Sequence, residues 1–268
     1  MNYKLFISLV FLLPLLSLGQ KLGYRLDENI AYQVPADSYQ AQQCKLDIYY
    51  PSTGSDFPIV VWYHGGGLTG GRKEIPEALK DKGFIVVGVG YRLSPQAKVQ
   101  DIIKDAAAAV AWVYANSERY RGDSSKVVLS GHSAGGYLAL MLGLNKAYLK
   151  EVNISANSLA AIIPFSGQAI THFTARAEQG IADVQPTVDA LSPLFWVRKD
   201  AAPVVLMTGD REKEMLGRYE ENAYLARMLQ LVGHSKVQLL EFDGYGHDMT
   251  YPGFPILVEE VRKLTKSP

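Results

Sequence analysis

From position 45 onward the chain alternates two patterns of apolar and polar residues. Strand candidates occupy 45–50, 59–63, 84–89, 127–130, 161–165, 204–208 and 237–242, and most of them are continuous apolar runs. Runs of that length without polar alternation are what strands show when both faces of their sheet are covered. Between them lie segments of helical character at 74–82, 101–118, 134–144, 219–232 and 255–266. In 101–118, for example, Ile102, Ala106, Val110 and Val113 share one helical face. Gly83 and Gly233 stand just past two of these segments, where a helix end favours a residue that takes positive φ. Strand and helix in turn predict an α/β chain with a mostly parallel central sheet and helices on both faces. Residues 29–34 add an antiparallel edge strand, which brings the sheet to about eight strands. The stretch from about 167 to 200 is too long for an ordinary loop and predicts a helix with a small lid-like insertion.

A chain of 268 residues suits a single domain of this kind, expected over 20–268. Hydrophobic residues at 48% and charged ones at 20% supply a large core and argue against disorder. Lysine plus arginine and aspartate plus glutamate both number 27, so the formal net charge is zero. With no basic surplus and no Lys/Arg cluster, nucleic acid is excluded as a partner.

The first residues read as a leader. Lys4 precedes an apolar run over 5–18 broken only by Ser8, Pro14 and Ser17, and Ser17-Leu18-Gly19 ends it with a small-x-small pattern. A charged start, a short apolar middle and such an ending predict a signal peptide over 1–19, cut after Gly19. The run falls short of the ~20 residues that span a bilayer, so no stable membrane insertion is expected after cleavage. The expected destination is the periplasm or the extracellular medium. The one cysteine, Cys44, cannot close an internal disulfide, so the exported fold must rest on its core alone. Its place in an apolar strand marks it as an inert core thiol.

Chemistry enters with Gly131-His132-Ser133-Ala134-Gly135, a G-x-S-x-G pentapeptide between the run 127–130 and the helical segment 134–144. A tight strand-to-helix turn holds such a serine in a strained conformation with its hydroxyl above the sheet, and small flanking residues avoid a clash. Ser133 is therefore the candidate nucleophile. His64-Gly65-Gly66-Gly67 follows the run 59–63, and its glycines let backbone amides turn toward a bound group. The N–H groups of Gly66, Gly67 and Ala134 are the candidate oxyanion donors.

A serine hydroxyl needs a base, and histidine serves best near neutral pH. Of five histidines, His64 and His132 belong to the two motifs, with His64 expected to shape its loop. His172 lies in the lid-like insertion and His234 follows a helix end. His247, in Gly244-Tyr245-Gly246-His247-Asp248 after the last strand, has the chain order of a base. The acid that orients it is expected after 204–208, in Gly209-Asp210-Arg211-Glu212. The longer reach of Glu212 favours it, with Asp210 the alternative if its side chain is not tied to the loop backbone. Asp243 and Asp248 read as solvated or loop-bracing.

With these residues in place, the chain resembles the hormone-sensitive-lipase-like and bacterial carbohydrate-esterase (acetyl xylan or feruloyl) branches of the α/β-hydrolase fold. The matching pieces are His64-Gly65-Gly66-Gly67, Gly90-Tyr91-Arg92-Leu93-Ser94-Pro95, Gly131-His132-Ser133-Ala134-Gly135-Gly136 and Gly246-His247. Relatives carry their acid in a G-x-x-D loop, and Glu212 stands at that position. The resemblance also implies that Arg92 braces the loops beneath the site.

The resemblance implies a serine carboxylesterase of small acyl esters working through an acyl-enzyme, without cofactor or metal. Few residues are available for a cap, so the cleft is expected to be open, and that suits soluble or saccharide esters better than long lipid chains. An arylformamidase, amidase or peptidase with the same triad is the alternative. An inactive fold used as a binding module is the third reading, and the presence of serine, histidine and acid in order argues against it.

Overall fold

The computed structural model of the protein describes residues 22–264, Leu216 excepted. The leader expected at 1–19 lies outside the described residues. The first half of the chain forms β1 (Tyr24–Ala31), α1 (Ser38–Gln43), β2 (Lys45–Pro51), β3 (Phe57–Tyr63), β4 (Ile85–Val89), α2 (Val99–Asn116) and β5 (Gly122–His132). The second half forms α3 (Ala134–Leu144), α4 (Lys146–Glu151), β6 (Ala161–Phe165), α5 (Phe173–Glu178), β7 (Val204–Gly209), α6 (Arg218–Leu231), β8 (Val237–Phe242) and α7 (Thr250–Leu264).

The eight strands form one sheet in the order β1-β2-β4-β3-β5-β6-β7-β8. β2 runs antiparallel to both β1 and β4, and every other pairing is parallel. This is an α/β-hydrolase fold. The period of two along each strand divides the core: Ile59, Val61 and Tyr63 of β3 join the cluster beneath α2, α3 and α6. Val60 and Trp62 join the opposite cluster with Leu257, Val258 and Val261 of α7. The C-terminal ends of the parallel strands share one edge, so the loops after β3, β5, β6, β7 and β8 meet there.

α3 is buried along its whole length, and small residues let it press on the sheet. A Cβ on Gly135 would stand 1.9 Å from the Tyr63 carbonyl oxygen, so the turn into α3 admits only glycine there.

The helix expected over 74–82 is a single 3-10 turn, Glu77–Leu79. Lys73 pairs with Asp47, and Glu74 accepts the Trp62 indole N–H at 3.4 Å. These contacts draw the preceding chain out along the sheet. Pro76 at ψ 128° then admits only a short turn. Cys44 closes α1 rather than lying within β2; it is buried, and burial pushes its thiol up to about 11. α1, α4 and α5 are six residues each, too short for a periodicity signal. Each is started by a side chain that accepts a backbone N–H: Asp37, Asn145 and His172 respectively. The stretch 167–200 holds α5 and the 3-10 turn Pro193–Trp196, and Thr174 Oγ1 ties it to the Gly67 carbonyl at 2.5 Å.

Candidate active site

Ser133 occupies the turn between β5 and α3 with φ 54° and ψ −113°, a left-handed conformation that costs a non-glycine residue about 1–3 kcal/mol. Strand pairing below and the helix above hold it there: its N–H donates to the Phe165 carbonyl at 2.8 Å, and its own carbonyl accepts from Tyr137 at 2.9 Å.

The loop after β8 brings His247 Nε2 to 2.9 Å from Ser133 Oγ. On the other side of the ring, His247 Nδ1 lies 2.6 Å from Oε1 of Glu214. The acid against His247 is therefore Glu214, and Glu212, the residue expected there, is not. The loop after β7 coils instead of extending, since both Lys213 and Glu214 donate their N–H to the Asp210 carbonyl. One turn of coil points residue 214 inward and leaves Glu212 exposed. Asp210 is a tie between loops. Its carboxylate accepts from Glu212 N–H at 2.9 Å and from Gly244 N–H at 2.9 Å, which joins the acid loop to the histidine loop.

The Glu214 side chain is only 1% exposed. Burial opposes its charge, but hydrogen bonds from His247, Met215 N–H, Ser166 and Gly209 N–H outweigh burial and hold it at about 2. Ser166 is a member of this cluster that the sequence reading did not identify. Its hydroxyl donates to Glu214 Oε2 at 2.8 Å and lies 3.0 Å from His247 Nδ1. Ser166 is fully buried at the end of β6 with φ 47°, and Arg218 donates to its carbonyl. Glu214 and Ser166 carry no motif; only their places just beyond the ends of β7 and β6 mark them.

The glycine loop passes alongside Ser133. A Cβ on Gly65 would stand 3.6 Å from Ser133 Cβ, and one on Gly66, at φ 111°, would stand 2.3 Å from the Gly70 carbonyl oxygen. Among the described residues no acceptor takes the N–H of Gly66, Gly67 or Ala134, so these amides remain available as donors.

The remaining histidines are structural. His64 is buried and stacks on Tyr91 at 4.2 Å, and burial lowers it to about 4. Tyr91 hydroxyl also donates to the His64 carbonyl at 2.6 Å. His132 Nε2 donates to the His247 carbonyl at 2.8 Å, and burial lowers its pKa below the ordinary histidine value. His172 caps α5, and His234 Nε2 donates to the carbonyls of Ala201 and Ala202. The Arg92 side chain donates two hydrogen bonds to the buried Asp105 of α2, at 2.7 and 2.8 Å, and its backbone N–H a third at 3.2 Å.

Residues 46–227 match the model of the BD-FAE family. Esterase LipC of Mycobacterium tuberculosis is 26% identical over 223 residues, 75% of this chain and 54% of that protein. The chain thus spans about half the length of the curated relatives it matches. Among solved structures, a truncated carbohydrate esterase from gut microbiota superposes with a TM-score of 0.75 at 17% identity, covering 93% of this chain and 99% of the other. An inhibited esterase B from Lactobacillus rhamnosis superposes at 0.72 with 20% identity, covering 90% and 87%.

Proposed function

The chain belongs to the BD-FAE family of α/β-hydrolases, and from that premise we propose that it is a serine carboxylesterase of small acyl esters, saccharide esters in particular. The observation that carries the proposal is the continuous chain Ser133–His247–Glu214, with links of 2.9 and 2.6 Å; among the described residues the Gly66, Gly67 and Ala134 amides have no acceptor.

In the reaction, His247 Nε2 takes the Ser133 proton as Oγ attacks the ester carbonyl. The carbonyl oxygen becomes an oxyanion against the Gly66, Gly67 and Ala134 amides. Glu214 accepts from His247 Nδ1, fixes the tautomer and stabilises the imidazolium. Ser166 holds the second carboxylate oxygen of Glu214 and so positions the acid. His247 then returns the proton to the departing alcohol, and a water deprotonated by the same ring releases the acid from Ser133.

Support for a saccharide ester is the fold shared with a carbohydrate esterase together with the small cap over 167–200. Export, to the periplasm or beyond the cell, is part of the same proposal and rests on the leader-like residues 1–19. Its test is N-terminal sequencing of the mature protein, expected to begin at Gln20.

Activity is tested by hydrolysis of p-nitrophenyl acetate, butyrate and octanoate, acetylated xylan, methyl ferulate and an aryl formamide, with wild type beside Ser133→Ala. Ser133-dependent release of acetate or ferulate supports the proposal. Cleavage confined to the formamide moves the protein to amidase chemistry, and no cleavage at all, with no labelling of Ser133 by a phosphonate, returns it to a binding role.

A further inference from the structure

A cavity of about 480 Å³ opens between the loop after β3 and the start of α7, with Trp62, Gly65, His132, Tyr251 and Phe254 in its walls. It shares a wall with the reaction centre. A Cβ on Gly65 would stand 3.2 Å from His132 Nδ1 as well as 3.6 Å from Ser133 Cβ. His132 in turn holds the His247 carbonyl, and Asp248, the next residue after His247, lines the cavity. An ester's alcohol oxygen must face His247 Nε2 to take its proton, so the alcohol part leaves on the histidine side of Ser133. The cavity has His132, bonded to the His247 carbonyl, and Asp248, the next residue after His247, in its walls and so adjoins the histidine loop.

Its lining is acidic and aromatic. Glu74, Glu77 and Asp248 border it, and no lysine or arginine does. Glu77 is paired with Lys80 at 2.7 Å, which leaves Glu74 and Asp248 as carboxylates engaged only by neutral donors, the Trp62 indole and the Thr250 hydroxyl. Such carboxylates accept hydrogen bonds from hydroxyl groups and repel an anion. Tyr251, 81% exposed, offers a ring face uncovered by the rest of the protein and a polar tip.

From this geometry we propose that the cavity holds the alcohol part of the ester and selects a neutral polyhydroxylated alcohol over an anionic one. The proposal rests on the esterase reading above and adds the leaving-group specificity to it.

The test compares three acetates: p-nitrophenyl acetate, an acetylated methyl xyloside and an acetylated methyl glucuronoside. The first has an alcohol with neither a sugar's hydroxyl groups nor a carboxylate and reports whether the ester chemistry operates at all. Wild type is expected to cleave the xyloside with kcat/KM roughly tenfold above the glucuronoside. Glu74→Gln narrows that gap by raising the rate on the glucuronoside. Tyr251→Ala raises KM for the xyloside roughly tenfold, more than it changes KM for p-nitrophenyl acetate, whose alcohol has no hydroxyl groups beyond the ester oxygen. Equal rates on the two glycosides overturn the proposal, as does a gap that neither variant alters. In both cases continued Ser133-dependent cleavage of p-nitrophenyl acetate leaves the esterase reading standing. If no acetate is cleaved, the esterase reading fails and the cavity's assignment fails with it.

Discussion

Replacing Glu214 by glutamine keeps the shape of the side chain and removes its charge from beneath His247. The Glu214 carboxyl titrates at about 2 against 4.5 for an ordinary glutamate, which corresponds to about 3 kcal/mol in favour of the charged form. Burial works against that charge, so the stabilisation comes from the groups that donate to it, His247 foremost. When His247 becomes an imidazolium in the transition state, the same contact at 2.6 Å stabilises the new positive charge. A neutral amide forfeits that interaction, and its N–H can face Nδ1 and favour the wrong tautomer. The expected loss is roughly 100- to 1,000-fold in kcat, with KM nearly unchanged because Glu214 does not reach the substrate. Glu212→Gln, at an exposed position on the same loop, should stay within about twofold of wild type. The assay is steady-state hydrolysis of p-nitrophenyl acetate by the three proteins, with circular dichroism to verify folding. If Glu212→Gln is the more damaged enzyme, or folded Glu214→Gln keeps more than about a tenth of wild-type kcat, the role assigned to Glu214 is wrong.

Other consequences concern stability. Ser133→Gly should abolish hydrolysis yet raise Tm by about 2–4 °C in a thermal scan, because glycine relieves the strain at φ 54° by more than the freedom it adds to the unfolded chain; an unchanged or lower Tm would show that the turn is unstrained. His64, lowered by burial to about 4 from 6.5, binds a proton more readily unfolded than folded. Its contribution of about 3 kcal/mol is therefore complete above pH 6.5 and lost as the pH falls toward 4. Urea unfolding at pH 7 and pH 4.5 should show His64→Gln losing less stability than wild type between the two, and equal losses would contradict the assignment.

Much of this molecule is legible in one dimension. The strand at 161–165 and the helix at 134–144 coincide with β6 and α3, because both are buried along their whole length and leave apolar runs that no surface segment imitates. Ser133 and His247 are equally legible. A nucleophile at a strained strand-to-helix turn needs small neighbours within two residues of it, and that requirement is local in sequence. Glu214 and Ser166 are different. Which carboxylate of Asp210, Glu212 and Glu214 faces the histidine depends on whether the loop extends or coils, and contacts from Gly209, Gly244 and Ser166 decide that. The same holds for the segment before Leu79, where Asp47 and Trp62 draw a helix-like sequence straight. Short-range patterns record what a residue needs from its chain neighbours; only packing across the sheet records which distant partners meet it.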